Sequence, residues 1–121
     1  MENRGMETEP DSIDMQALER LRKIGGEELL SKIVALFVSH AEPAIKEAVA
    51  SLQRGDLDRV QWAAHSLKSS AGNLGAQQLQ NLAGRIEQLA ETKKAGEIQP
   101  LLADLETAYL KAKARLVREV A

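Results

Sequence analysis

The stretch LDRVQWAAHSLKSSAGNLGAQQLQNLAGRIEQL, residues Leu57 to Leu89, holds two apolar stripes on either side of a glycine-bounded turn. In its first half Leu57, Val60, Ala64, Leu67 and Ala71 follow one another at steps of three and four, the spacing of one helical face. Leu79, Leu82, Ile86 and Leu89 repeat that spacing in the second half. Between them Gly72-Asn73-Leu74-Gly75 has the composition of a turn, and Asp56 stands where it would cap the first helix. Two amphipathic helices joined by so short a link predict an antiparallel pair.

Working outward, the flanking segments carry the same periodicity. Upstream, Asp14 is placed to cap a short helix bearing Met15, Leu18, Leu21 and Ile24 on one side, and Gly25-Gly26 should stop it. From Glu27 onward Leu30, Val34, Phe37, Ala41, Ile45, Ala48 and Leu52 define a longer helix that ends before Gly55. Pro43 removes a backbone donor and crowds the preceding turn, so a kink or break is expected between Ser39 and Pro43. Downstream, Gly96 should end the Leu79–Leu89 helix, and Pro100 fits the first turn of a last helix that buries Ile98, Leu101, Leu105, Ala108 and Ala112. The predicted fold is all-α: an antiparallel up-down-up-down four-helix bundle at residues 13–121, with the short N-terminal helix as a lid. Residues 1–12 lack apolar periodicity and read as a flexible tail.

Composition narrows the function. The chain has 121 residues, 44 % of them hydrophobic but only 2 % aromatic, the vocabulary of helices. The absence of cysteine excludes disulfides, thiolate metal sites and a thiol nucleophile, and fits a reducing, cytoplasmic setting. No apolar run approaches the roughly 18 residues of a membrane span, and MENRGMETEP lacks the features of a signal peptide. A net charge of −2 gives no footprint for nucleic acid, and the cluster Lys111, Lys113, Arg115 and Arg118 reads as a solvated helix face. The initiating Met and the tail point to a free-standing protein. There is no phosphate-binding glycine loop, no nucleotide signature and no Ser/His/Asp set, which argues against a kinase, phosphatase or hydrolase.

The helical wheel then isolates one histidine. His65 lies roughly 130° from the centre of the inward stripe, so it faces outward. Lys68 shares its flank, and Gln61, Ser69 and Gly72 surround it at one-turn and two-turn spacings. The serines and glycine nearby are poor helix formers, but they leave the ring open to a large, rigid partner. A neutral imidazole is a competent nucleophile near pH 7, and an ammonium steadies phosphate oxygens as a point charge. Phosphoryl transfer needs positioning and charge stabilisation above all, so His and Lys suffice if the partner supplies the metal and the acid pocket. Spacing by itself also fits an ordinary exposed helical histidine.

His40 has no partner motif and reads as structural or solvated. Neither histidine has a Glu three residues ahead of it, so a di-metal bundle site is not expected and no metal ligands are assigned. Trp62 projects away from the inward stripe; it either packs under the N-terminal helix or forms an apolar docking patch beside His65.

The run Ala64-His65-Ser66-Leu67-Lys68-Ser69-Ser70-Ala71-Gly72-Asn73-Leu74-Gly75-Ala76 resembles the signature of histidine-containing phosphotransfer (HPt) domains, opened by A-H-x-L-K and closed by L-G-A. Phe37, Gly55-Asp56, Leu79, Leu82 and Ile86-Glu87 extend the resemblance over about Ile13 to Leu116. It implies a phosphocarrier that accepts a phosphoryl group from a receiver-domain aspartyl phosphate and passes it to another receiver. His65 is then the phosphorylated residue, through Nε2. Lys68 contacts the phosphoryl group, Gly75 fixes the turn, and Glu87 is the candidate polar neighbour of the imidazole. Gln61, Trp62, Ser69 and Gly72 form the docking surface; the family often has Gly where this chain has Ser69. The implied partners are receiver domains of a response regulator or a hybrid sensor histidine kinase. The chain is expected to be a monomer with no cofactor of its own, Mg being supplied by the receiver. A same-fold adaptor that binds receivers without carrying phosphate is the alternative.

Overall fold

The computed structural model describes residues 13–121, so the tail expected over residues 1–12 lies outside the described residues. Four helices follow in order: α1 Met15–Gln53, α2 Leu57–Asn73, α3 Gln77–Glu91 and α4 Ala95–Val120. Each packs against its neighbour in sequence, and α4 closes the bundle against α1. None of these helices is long and apolar enough to cross a membrane.

The connections explain the topology. At the end of α2, Ala76 N–H reaches back to the Ala71 carbonyl at 2.9 Å and Gly75 N–H to that of Gly72 at 3.2 Å. The same paired pattern ends α1 through Asp56 and Gly55, and α3 through Lys94 and Lys93. This arrangement satisfies the last carbonyls and turns the chain sharply through one left-handed residue. At α3 that residue is Lys93, with φ 63°. Gly96, expected to end α3, instead lies in the first turn of α4, and Pro100 falls in the second turn. A lysine occupying a position that usually favours glycine hid the true boundary.

Both predicted caps form: Asp14 Oδ1 accepts from Gln16 N–H at 3.0 Å and Asp56 Oδ1 from Arg59 N–H at 3.2 Å. The N-terminal helix is continuous with α1 apart from Gly26, whose φ of 72° and ψ of −168° interrupt the helical torsions. Gly26 provides the only such interruption in α1, so of the kink or break expected between Ser39 and Pro43 a break of the helical torsions does not occur, and Pro43 lies within the helix. The carbonyl that Pro43 deprives of a donor belongs to exposed Ser39, where water can replace the lost bond. Ile24, assigned to the inward side, is 76 % exposed because it lies in the last turn before Gly26 redirects the chain.

An aliphatic core unites the four helices. Leu18, Leu30, Val60, Leu67, Ile86, Ile98, Leu105 and Leu116 are fully or almost fully buried. Between α1 and α4 the Phe37 and Tyr109 rings meet at 5.8 Å. The Tyr109 hydroxyl and Lys113 ammonium both donate to Glu42 Oε2 at 2.8 Å. Burial, reinforced by the Glu42 carboxylate, pushes the Tyr109 phenol well above its ordinary pKa. Part of the basic cluster is therefore structural rather than a solvated face: Lys113 ties α4 to α1, and Arg115 bonds Glu119 at 3.2 Å and meets Met15 Sδ at 3.1 Å. Arg22 completes that end by reaching Glu119 and Glu27, which ties residues 15–25 to the end of α4.

Gly75 locks the opposite edge of the N-terminal segment. Asp14 N–H donates to its carbonyl at 2.8 Å, beside an isolated bridge between Ile13 and Ala76. Its φ is 70°, and a Cβ there would lie 2.7 Å from the Asp14 carbonyl oxygen and 2.9 Å from Ala17 Cβ. Only glycine satisfies both the torsion and the space.

Candidate functional site

Val60, Ala64, Leu67 and Ala71 are buried against the core, so helical geometry turns His65 outward, with 51 % of its side chain exposed. Antiparallel α3 lays Glu87 beside it. His65 Nδ1 lies 2.8 Å from Glu87 Oε2, and Lys68 Nζ lies 2.7 Å from Glu87 Oε1. One carboxylate thus bridges the two side chains selected by the sequence. Glu87 is only 18 % exposed, which alone would raise its pKa, yet the hydrogen bonds from Lys68 and His65 prevail and hold the carboxyl below its usual range.

Charge decides the tautomer. An ionised carboxylate only accepts hydrogen bonds, so His65 Nδ1 carries the proton and donates it to Glu87. In the neutral ring the lone pair then sits on Nε2, which no described residue engages. The arrangement supplies a positioned nitrogen nucleophile with a cation one helical turn away.

Gly84 and Gln80, which support this flank, were not picked out from the sequence. A Cβ at Gly84 would lie 3.3 Å from Lys68 Cδ, so the lysine stem runs across the glycine. A Cβ at Gly72 would lie 2.8 Å from Gln80 Nε2, so half-buried Gly72 lies beneath the Gln80 side chain. Glu87, Gly84 and Gln80 on α3 therefore face His65, Lys68 and Gly72 on α2 in reversed order. A glycine inside a helix costs roughly 1 kcal/mol relative to alanine, and that cost was the available signal for Gly84.

The opposite flank of α2 faces α1. Trp62 is 70 % exposed, which removes the reading that packs it under the N-terminal helix; its ring centroid is 6.2 Å from that of His65. His40 reaches from α1 to Ser66, its Nε2 2.6 Å from the hydroxyl, a cross-helix contact in line with its structural reading. Of the remaining docking candidates, Ser69 is exposed and Gln61 half-buried. Among the described residues no group of three or more His, Asp or Glu is placed to hold a metal ion.

Comparison with known proteins identifies the family and the fold. The Hpt domain family model matches residues 32–119. Sensor protein TorS of Escherichia coli (strain K12) is 31 % identical over 77 residues, which are 64 % of this chain and 8 % of TorS, so the chain spans a small part of that relative. The crystal structure of histidine-containing phosphotransfer protein B (HptB) from Pseudomonas aeruginosa PAO1 matches with a TM-score of 0.85 at 23 % identity. That match covers 90 % of this chain and 94 % of the other, and establishes likeness of fold.

Proposed function

The chain belongs to the Hpt domain family, and from that premise we propose that it is a phosphorelay intermediate in which His65 accepts a phosphoryl group from one receiver-domain aspartyl phosphate and yields it to another. The observation that carries this reading is the outward Nε2 of a ring whose Nδ1 is held 2.8 Å from Glu87.

The step balances without further reagents. The Nε2 lone pair attacks phosphorus; the Nε2–P bond forms as the P–O bond to the aspartate breaks, and the aspartate leaves as a carboxylate. Nδ1 keeps its proton, and Glu87 offsets the positive charge that develops on the ring. Lys68, now held by Glu87, is near enough in sequence and flank to turn toward the phosphoryl oxygens. Return to a second receiver reverses the same bonds. The divalent metal and the acid pocket belong to the receiver, and receivers of response regulators or hybrid kinases are the proposed partners of a monomeric chain.

The test is transfer from a phosphorylated receiver domain. Label on this chain that survives base, is lost in acid and is absent in His65→Gln supports the reading. Label that persists in His65→Gln removes His65 from the role, and intact binding with no label favours the non-carrying adaptor.

A further inference from the structure

Gly84 is the glycine of α3, set in the helix interior among Leu82, Ala83, Ile86 and Leu89. It is not one of the glycines with positive φ, so alanine would adopt the same torsions, and glycine there costs the helix stability. What glycine offers at this position is space. A Cβ would stand 3.3 Å from Lys68 Cδ, and beyond its adjoining residues and the backbone of its own helix it would meet no other described atom within 4 Å. The volume left by the missing side chain is therefore bordered by the lysine alone.

Lys68 is held at two points. Its stem crosses α3 at Gly84, and its Nζ lies 2.7 Å from Glu87 Oε1, three residues further along the same flank of that helix. Cδ is two bonds from Nζ, so a stem fixed there leaves only the last torsions to place the charge. An unseated lysine spreads its ammonium over many rotamers, whereas this one is gathered beside the imidazole that Glu87 also holds. Resting on the phosphocarrier reading, we infer that Gly84 is a positioning residue: its missing side chain seats the Lys68 stem across α3 and so sets where the ammonium meets a phosphoryl group on His65. Rotation about the last bonds moves the ammonium from Glu87 toward the phosphoryl oxygens while the stem keeps its seat. Alanine at this position leaves His65, Glu87 and Lys68 in the chain but displaces the stem and draws Nζ off Glu87.

The test is Gly84→Ala, alone and combined with Lys68→Ala. Alanine favours the helix and the neighbour it crowds is a flexible side chain, so the single variant should melt at or above the temperature of the parent chain. Single-turnover transfer from a phosphorylated receiver domain should nonetheless slow about fivefold, a fraction of the roughly hundredfold that a misplacement of about 1 Å can cost. In the Lys68→Ala background the same substitution should leave the rate unchanged, because its effect passes through the lysine. An NMR titration of Glu87 needs no partner: burial pushes that carboxyl up and the Lys68 hydrogen bond helps to pull it below its usual range, so in Gly84→Ala it should titrate higher. A rate equal to that of the parent, equal slowing with and without Lys68, a melt below that of the parent, or an unmoved Glu87 overturns the seat. Absence of label on the parent chain overturns the phosphocarrier reading instead, and the Glu87 titration then still decides whether Gly84 seats the lysine.

Discussion

The two flanks of α2 are built from the same helix yet differ in kind. Toward α3 the side chains are charged and mutually committed, with His65 and Lys68 both held by one carboxylate of Glu87. Toward α1 they border two mainly apolar depressions, with the His40–Ser66 hydrogen bond and the Arg59–Glu47 ion pair across the seam. A committed network orients atoms for a bond-making step, whereas an open seam accommodates another protein. On the proposed phosphocarrier reading, chemistry falls to the α3 flank and recognition to the α1 flank of one helix, and substitutions on either flank should separate them.

The largest effect expected is on the α3 flank alone. His65→Gln should lose all base-stable label from a phosphorylated receiver, while His40→Gln should reach the same final label at saturating receiver. Loss of label in both would collapse the division. Next comes the turn that aligns α3 with α2: Gly75→Ala places a side chain at φ 70° against Asp14, so strain of about 1–3 kcal/mol is expected, read as a lowered urea midpoint. A midpoint equal to that of the parent chain would mean that the turn does not set the register.

Glu87→Gln tests the network more finely. The amide still accepts from Nδ1 but cannot offset a developing ring charge, so transfer should slow about tenfold, the usual order for one polar contact to a charged group. The sign of the pH effect follows from the depressed carboxyl. Its ionised form stabilises the fold above the ordinary glutamate pKa, and that contribution fades as pH falls through the lowered folded value. In Glu87→Gln this acid-side loss should be smaller, measured by thermal melts across the acid range. A parent and variant that lose stability in parallel would show that the carboxylate is uncoupled from His65 and Lys68.

How much of this division could be read beforehand varied by flank. Periodicity placed the helices because burial of Val60, Leu67, Ile86 and Leu105 has a fixed angular signature. The wheel also turned His65 outward, and the resemblance pointed to Lys68 and Glu87. The bridging of both by one carboxylate was not legible, since it depends on the register of α3, which the Gly75 turn fixes in three dimensions. The His40–Ser66 contact was hidden for the same reason: the two residues are 26 positions apart and no sequence pattern links them. Lys93 defeated the boundary reading because a lysine with positive φ leaves no mark in composition.

The smallest expected effect gives the sharpest reading of the α3 flank. Lys68→Ala removes an ammonium that is 38 % exposed and paired with Glu87, and screened pairs of this kind contribute below about 1 kcal/mol to stability. The His65–Glu87 bond remains, so the bundle should melt cooperatively and nearly unchanged. Transfer should nonetheless slow, because the proposed mechanism loses its cation for the phosphoryl oxygens while the nucleophile stays in place. Stability and rate therefore part company at this residue, whereas at Gly75 they should fall together. Single-turnover transfer measured beside a thermal melt decides the point: a rate equal to that of the parent chain would reduce Lys68 to a surface partner of Glu87 and leave His65 to act without a cation from its own helix.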